Sequence, residues 1–201
     1  MITLTYEKLY PEVIAPIKKH DSDFCYDIRA YFSPGQRILT ILDQDSTGQQ
    51  KNYLVPFKGI DPEDNQEKLY IEVPVGNRVL IPTGIKAQLN PEKLYLAVKT
   101  EPTEEASFQY MPVTLGTKMF IRSGIAKKRG LYLANSVGII DCQFPEQWEF
   151  IVQTSSFTSV KIWQGERLAQ IQGAISVDLN IVEGKVESKE RLSGFGSTGT
   201  N

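Results

Sequence analysis

Residues 134–150 read ANSVGIIDCQFPEQWEF and contain a turn, a short apolar run and a returning strand. Asn135 and Gly138 are turn formers, and two isoleucines follow Gly138 directly. Residues 148–152 favour a strand that runs back along the apolar run, because aromatic and β-branched side chains suit strands. The stretch therefore predicts a β-hairpin.

Asp141 lies where this predicted hairpin begins its return, directly after Ile139 and Ile140. A carboxylate that is partly buried beside apolar neighbours resists ionisation and suits a general base. The alternative is an exposed aspartate in a turn, which is a common use of this residue. From this stretch alone the exposed alternative is favoured, and only the other motifs of the chain alter the balance.

The composition is that of an ordinary globular domain. The chain has 201 residues, of which 41% are hydrophobic and 23% charged, and this length suits one domain with a real core. The formal net charge is -2, and the longest basic run is Lys-Lys-Arg at 127–129. The electrostatic footprint of a duplex nucleic-acid binder is missing, so we expect no nucleic-acid partner and only a small phosphate-bearing one.

The cysteines and the histidine do not form a metal-binding pattern. Cys25, Cys142 and the single His20 lack the spacing of a zinc site. The sequence does not separate a disulfide from two buried thiols. Two cysteines without an export signal favour a reducing compartment, the cytoplasm or, for a viral protein, the host cytoplasm. No run of about 18 apolar residues exists, so no membrane span is expected.

Short runs of β-forming residues recur along the chain between clusters of turn formers. Many short strands without a long helical period predict an all-β barrel or sandwich. Polar segments at 44–51 and 100–107 are predicted to be solvated loops. The predicted strands are residues 2–6, 24–30, 37–42, 52–55, 68–73, 78–81, 94–98, 118–121, 160–163, 165–171 and 175–181.

Residues 122–130, RSGIAKKRG, are predicted to hold the helical turns of the protein. Ser123 is a plausible N-cap, and its hydroxyl with the backbone N–H groups behind it would form a small anion site. Gly130 would end the turns. A capped helix start without a ligand is the commoner explanation for such a string.

Two further stretches carry polar residues of interest. If Tyr26 and Ile28 face the core, Asp27 points the other way, and its alternative role is a surface ion pair with a nearby arginine. Leu168 and Ile171 should be core residues, which leaves Gln170 at a strand edge.

The C-terminal sequence RLSGFGSTGTN, residues 191–201, is rich in glycine and serine. Such a terminus is normally frayed. Phe195 between two glycines could nevertheless stack on a flat ring, while the hydroxyls and flexible backbone amides wrap an anion.

Five short motifs resemble, in their order along the chain, those of the trimeric dUTPase family. Each motif is weak alone, but five in order, with GFGSTG near the C-terminus, are specific and cover most of the chain outside its long loops. The motifs are YDIRA at 26–30, RSGIA at 122–126, the stretch 135–141 that ends in GIID, GERLAQ at 165–170 and GFGSTG at 194–199.

The resemblance implies a distorted jelly-roll or β-clip barrel with one short helix, assembled as a homotrimer with active sites between subunits. It implies one β domain over residues 1–190, with inserted loops near 36–67 and 99–117, and a flexible C-terminal lid over residues 191–201.

The same resemblance implies a dUTP diphosphatase that hydrolyses dUTP to dUMP and pyrophosphate, limits uracil in DNA and supplies dUMP for dTTP synthesis. Asp141 would deprotonate the water that attacks the α-phosphorus. Asp27 would act through water on a Mg²⁺ carried by the triphosphate, because Mg²⁺ keeps most of its waters.

The resemblance also assigns substrate contacts. Ser123 and Gln170 would hold phosphate oxygens, with Arg122 bracing the site, and the backbone of 135–140 would bind the uracil edge. Residues 191–198 would form a lid from a neighbouring subunit. The implied substrate-binding residues are Arg122, Ser123, Gly124, Asn135, Gly138, Ile139, Ile140, Phe144, Gln170, Arg191, Phe195, Gly196, Ser197 and Thr198.

The chain departs from the family pattern at two of these positions. The family usually has tyrosine beneath the deoxyribose, and this chain has Phe144, whose ring still blocks a 2′-hydroxyl. The lid arginine generally precedes the lid phenylalanine by five positions, whereas Arg191 precedes Phe195 by four.

Two alternatives to dUTP hydrolysis remain open on the sequence. One is dCTP deaminase, or a bifunctional deaminase and dUTPase, because Phe144 three residues after Asp141 resembles the deaminase pattern. The chain has the full lid motif and lacks the serine-serine version of the second motif. The other alternative is a regulatory binding protein of the same fold, whose inserted loops grip a protein partner.

Overall fold

The computed structural model describes residues 2–44, 48–90, 94–99, 108–177, 179 and 181–184. Within these residues the chain is built from β-strands with a single short helix, which confirms the predicted all-β class. The elements are β1 (Thr3–Lys8), β2 (Tyr26–Arg29), β3 (Ile38–Gln44), β4 (Gly48–Leu54), β5 (Phe57–Ile60), β6 (Glu67–Val73), β7 (Asn77–Pro82), β8 (Ile85–Asn90), β9 (Leu94–Lys99), β10 (Phe108–Ile121), α1 (Ser123–Arg129), β11 (Leu131–Leu133), β12 (Gly138–Asp141), β13 (Glu149–Thr154), β14 (Val160–Trp163) and β15 (Arg167–Val177).

The strands pair antiparallel in four sheets. The sheet that matters most for function has the order β12-β10-β15-β2, and β9 pairs with the first part of β10. A second sheet has the order β11-β13-β7-β3-β4, and smaller sheets join β14-β6-β5 and β1-β8.

The hydrophobic core fills the space between the inner faces of these sheets. Its largest buried side chains include Trp148, Phe150 and Phe32. Along β10 the buried residues alternate with exposed or half-buried ones from position 113 to 119, as expected for a strand with one face on the core. Leu168 and Ile171 are buried, which confirms their predicted core positions.

The predicted solvated loop at 44–51 is mostly paired strand. Gln44 ends β3 and residues 48–51 belong to β4, so the loop prediction was wrong at these positions. The polar sequence of 48–51 lacks the apolar alternation that identifies a half-buried strand. The regions 36–67 and 99–117, which resemble insertions relative to the family, contain β3, β4, β5 and the first part of β10, which pairs with β9 and β15. Residues 45–47 and 100–107 lie outside the described part of the chain.

Only half of the predicted orientation of β2 is correct. Ile28 is fully buried, but Tyr26 is 45% exposed. Tyr26 is the first residue of β2, and the Lys18 ammonium group lies 5.0 Å from the centroid of its ring.

The helix begins one residue earlier than predicted. Its N-cap is Arg122, which makes no side-chain capping hydrogen bond, and Ser123 is the first helical residue. The Arg122 carbonyl accepts the N–H groups of Ile125 and Ala126, so the helical bonding starts there. Gly130 ends the helix in the left-handed conformation with φ 65°, which confirms the predicted end.

The stretch 134–150 is not the hairpin that its sequence predicts. β12 pairs with β10 in one sheet, whereas β13 pairs with β11 and β7 in another. The turn before β12, with Ser136 at a φ of 60°, carries the chain from one sheet to the other. The segment therefore joins two layers and does not fold back on itself.

Cys25 and Cys142 are free thiols, so the two are not joined in a disulfide. α1 is too short to cross a membrane, and the described part of the chain has no other helix to do so. The predicted lid with Arg191, Phe195, Gly196, Ser197 and Thr198 lies outside the described residues.

Candidate active site

Five predicted site residues come together at one end of the β10-β15-β2 region. Gln170 pairs with Asp27 of β2 on one side and with Phe120 of β10 on the other. The second motif begins directly after β10 with Arg122, Ser123 and Gly124. We call this group the phosphate half: Asp27, Arg122, Ser123, Gly124 and Gln170.

Asp27 is the charged centre of the phosphate half. Its Oδ1 lies 2.9 Å from Nε of Arg122, and its Oδ2 lies 3.1 Å from a terminal nitrogen of Arg167. The Asp27 side chain is only 12% exposed. Asp27 thus forms ion pairs with arginines, which is the alternative considered for it in the sequence analysis. These ion pairs hold the guanidinium groups of Arg122 and Arg167 in place.

Arg122 also binds the backbone of β15. Its N–H donates to the Leu168 carbonyl at 3.1 Å, and its guanidinium donates to the Arg167 carbonyl at 3.2 Å. These bonds hold the start of α1 against the fourth motif.

Two arginines of the site were not predicted from the sequence. Arg167 occupies the third position of the GERLAQ motif and stands opposite Arg29 in the register of β15 and β2. Arg29 donates to the Gly165 carbonyl at 2.6 Å. Burial lowers the pKa of Arg29, the charge of Arg167 lowers it further, and Asp27 opposes both. The sequence did contain a signal for both arginines. Arg29 lies in the same motif as Asp27, and Arg167 lies in the same motif as Gln170.

Glu166, in the same motif, was also missed. One of its carboxylate oxygens accepts a hydrogen bond from Arg129 at the end of α1, and the other accepts the Trp163 N–H at 3.1 Å. The Glu166 side chain is 12% exposed. Burial raises the pKa of Glu166, while the charge of Arg129 opposes the rise.

The remaining described site residues form a second group on and around β12. Asp141, the last residue of β12, is exposed, and Ile139 is 73% exposed on the same side of the strand. Asp141 stands opposite Gly116 of β10, which has no side chain to cover it. Asp141 is therefore exposed, which is the alternative favoured by its own stretch of sequence, and not the partly buried carboxylate. We call this group the base half: Asn135, Gly138, Ile139, Ile140, Asp141 and Phe144.

The base half has a defined backbone. The Val137 N–H donates to the Asn135 carbonyl at 2.6 Å, and the Phe144 N–H donates to the Asp141 carbonyl at 3.1 Å. A Cβ at Gly138 would lie 3.2 Å from Cβ of Met119, so glycine lets β12 lie close to β10. The Phe144 side chain is 39% exposed.

Both halves lie on the same outer face of one sheet, but they are far apart. Asp141 pairs with Gly116 and Gln170 pairs with Phe120, and directly paired residues share a face. Four residues of β10 separate the two positions by roughly 14 Å along the strand, with about 10 Å across two strand spacings. In one chain, Asp141 does not reach a phosphate held at Gln170.

A groove of about 1440 Å³ borders the phosphate half. Its walls include Arg122 and Arg167, and α1 contributes Lys128 and Arg129. Seven lysine and arginine side chains line the groove against four carboxylates, Asp61, Glu63, Asp64 and Glu166, and this positive balance would favour a polyanionic ligand. Among the described residues, no group of three or more histidine, cysteine, aspartate or glutamate side chains is arranged to hold a metal ion.

Comparison with known proteins identifies similar sequences and folds. A family model described as dUTPase matches residues 102–199. The deoxyuridine 5'-triphosphate nucleotidohydrolase of Polynucleobacter asymbioticus is 32% identical over 164 residues, which cover 80% of this chain and 95% of that protein. The protein of the same name from Chlamydia pneumoniae is 30% identical over 168 residues, covering 82% of this chain and all of that protein.

The fold is also similar to a solved structure. The dUTPase of Staphylococcus bacteriophage 80alpha with dUPNHPP has a TM-score of 0.58, with 17% sequence identity over 98% of this chain and 99% of that one. At this identity the likeness concerns the fold.

Proposed function

The chain belongs to the dUTPase family, and we propose that it hydrolyses dUTP to dUMP and pyrophosphate. The observation that carries the proposal is the shared outer face, on which the sheet register gathers Asp27 and Gln170 and also presents Asp141. The first, second and fourth motifs meet through hydrogen bonds and ion pairs in one chain. The presence of five motifs in the sequence does not by itself require that these motifs contact one another in the fold.

In the proposed reaction Asp141 accepts a proton from water while the water oxygen bonds to the α-phosphorus. The bond from that phosphorus to the oxygen bridging the α- and β-phosphates breaks, and pyrophosphate leaves with the bonding electrons. Ser123 and Gln170 hold phosphate oxygens. Arg122, fixed by Asp27, stabilises negative charge on the phosphates.

The residues present fit a hydrated Mg²⁺ bound mainly by the substrate, and they do not fit a cage of protein ligands. Asp27 has both oxygens paired with arginines, yet each carboxylate oxygen can accept more than one hydrogen bond. Asp27 would therefore act on the ion through a water molecule. When bound, Mg²⁺ neutralises part of the triphosphate charge.

The base half would select the nucleoside. Backbone groups between Asn135 and Ile140 pair with the uracil edge, and a cytosine leaves buried donors and acceptors without partners. The exposed ring of Phe144 lies beneath the deoxyribose and blocks a 2′-hydroxyl. Specificity and phosphate binding thus belong to different parts of the chain.

We assign the assembly to a homotrimer with active sites between subunits. The separation of Asp141 from Gln170 supports this assignment, because a second copy can bring its base half to the phosphate half of the first. A ring of three such contacts closes without free ends. The lid residues Arg191, Phe195, Gly196, Ser197 and Thr198 would close the site from a neighbouring subunit.

The two free cysteines suit a reducing compartment, so we place the enzyme in a cytoplasm. There it would limit uracil in DNA and supply dUMP for dTTP synthesis. A protein partner for the 99–117 region would meet the exposed aromatic residues Tyr95, Phe108 and Tyr110 of β9 and β10. Lys99 pairs directly with Phe108, so replacing residues 100–107 by Asn-Gly should close the hairpin and spare hydrolysis.

The test of the function is incubation of the purified protein with dUTP and, separately, with dCTP. Pyrophosphate and ammonia are assayed in each reaction. We expect pyrophosphate from dUTP and no ammonia from either nucleotide. Ammonia from dCTP would assign the chain to deamination, and the absence of product from dUTP with Mg²⁺ present would remove the proposal.

A further inference from the structure

The segment Arg122–Gly124 needs support that its own helix does not provide. α1 has seven residues, and none of them is fully buried. A helix this short is unstable alone, because nucleation fixes several residues for few hydrogen bonds. The helix also lacks a side-chain N-cap. The position of Ser123 and Gly124 must therefore be set by contacts from elsewhere.

The fourth motif supplies contacts at both ends of this helix. At the start, the Arg122 N–H and guanidinium bind the carbonyls of Leu168 and Arg167. At the end, Arg129 pairs with Glu166. The helix is thus attached twice to the fourth motif, once at Glu166 before β15 and once at the first two residues of β15.

Glu166 is a rigid anchor for the second attachment. Its side chain is largely buried and its second oxygen accepts the Trp163 N–H. Its backbone carbonyl accepts the Ala30 N–H at 3.1 Å, and the Gly165 N–H donates to the Ala30 carbonyl at 2.9 Å. Side chain and backbone together tie Glu166 to the strand that carries Asp27.

A second carboxylate acts on Arg129 from the β5–β6 turn. Asp61 is 4% exposed, and its Oδ2 lies 2.7 Å from Nζ of Lys68. Burial opposes ionisation of Asp61, but the hydrogen bonds from Lys68 and from the Glu63 N–H outweigh it, and Arg129 adds to them, so the pKa of Asp61 is lowered. Arg129 therefore lies in the field of two largely buried carboxylates on different elements.

We propose that Arg129 and Glu166 are positioning residues that hold the segment Arg122–Gly124 in register for the phosphates of the substrate. Neither residue touches the reacting atoms. The pair acts through α1, whose start presents Ser123 and Gly124. This inference rests on the proposed function, because it assumes that the segment binds nucleotide phosphates.

The pair should matter for phosphate binding and not for nucleoside binding. The measurements are calorimetric affinities of the assembled protein for dUpNHpp and for deoxyuridine, with thermal unfolding recorded in parallel. Arg129→Met should weaken dUpNHpp binding about tenfold and change deoxyuridine binding by less than about twofold. Arg129→Lys, which keeps the charge, should recover most of the loss.

Lys127→Met is the matched control, because Lys127 is an exposed lysine on the same helix that does not line the groove and pairs with no carboxylate among the described residues. It should leave both affinities unchanged. Glu166→Gln should reproduce the selective loss, and the double variant Arg129→Met with Glu166→Gln should lose no more than either single change.

Three outcomes are distinguishable. Wild-type protein that fails to bind dUpNHpp removes the proposed function itself. Wild-type binding with equal losses for dUpNHpp and deoxyuridine, together with a lower melting temperature, makes the pair merely structural and overturns the inference. Unchanged dUpNHpp affinity in Arg129→Met also overturns it.

Discussion

The phosphate half and the base half of the site are built in opposite ways. In the phosphate half, Asp27 is largely buried and binds two arginines from two other motifs. In the base half, Asp141 and Ile139 are exposed, and Asp141 stands opposite a glycine. Residues of the phosphate half thus contact one another within a single chain, whereas Ile139 and Asp141 of the base half are exposed.

The difference follows from where each half lies in the sheet. The phosphate half spans three paired strands, so its side chains meet by register. β12 and β2 are the two edge strands of this sheet, and each is four residues long. The outer side of β2 has the bridge between Ile17 and Asp27, whereas no described strand pairs with the outer side of β12. An edge strand without such a neighbour can take its outer contacts from a ligand or another subunit. Four predictions test this division, beginning with the largest effect.

Replacing the proposed base should remove turnover without affecting the fold. Asp141→Asn should lower kcat about 10³-fold, because loss of a general base costs two to four orders of magnitude. Its stability should stay within about 0.5 kcal/mol of wild type, since the side chain is exposed. Pyrophosphate release measures kcat, and denaturant unfolding measures the stability. Glu146→Gln, a second exposed acid in the same segment, is the control and should keep full activity.

Mixing two inactive variants should restore activity if the halves meet between chains. Asp141→Asn has an intact phosphate half, and Ser123→Ala with Gln170→Ala has an intact base half. After subunit exchange at equal amounts, about a quarter of the interfaces combine two intact halves, so activity should rise to about a quarter of wild type. That is roughly a 250-fold gain over the Asp141→Asn variant alone.

No gain on mixing, with exchange confirmed by labelled subunits, would contradict the division between chains. The site would then have to form within one chain by a large movement of β12. The unmixed variants, treated in the same way, are the controls.

The sequence named candidate residues for the two halves, but it did not predict which other residues contact them. The order of the motifs made Asp27, Arg122, Gln170 and Asp141 candidates through the resemblance to the family. It did not reveal that Asp27 would bind Arg167, since that contact depends on the register of β15 against β2.

The first part of β10 was missed for a related reason. Gly116 in the middle of the strand resembles a breaker in the sequence, yet a Cβ there would lie 3.2 Å from the Ile140 carbonyl oxygen. Glycine is needed at this position for β12 to approach. This requirement arises from β12, which lies more than 20 positions further along the sequence, so the residues around Gly116 do not indicate it.

The third prediction concerns the stability of the phosphate half. Asp27→Asn removes the partner of two guanidinium groups and should lower the free energy of unfolding by about 2 kcal/mol. The partly exposed arginines keep the loss below that of a fully buried pair. Urea denaturation measures it. A loss no larger than that of Asp141→Asn would show that the two halves do not differ in the way described.

The fourth prediction separates sugar selection, in the base half, from phosphate binding. Phe144→Ala removes a ring that is 39% exposed and, in the proposed function, lies beneath the deoxyribose. The ratio of kcat/KM for dUTP to that for UTP should fall about tenfold, since a 2′-hydroxyl then meets no steric barrier. Phe144→Tyr keeps the ring and should keep the ratio. Because the phosphate half is built independently, the affinity of Phe144→Ala for pyrophosphate should equal that of wild type. An unchanged dUTP to UTP ratio would assign sugar selection to another residue, and weaker pyrophosphate binding would mean that the two halves are coupled within the assembled site.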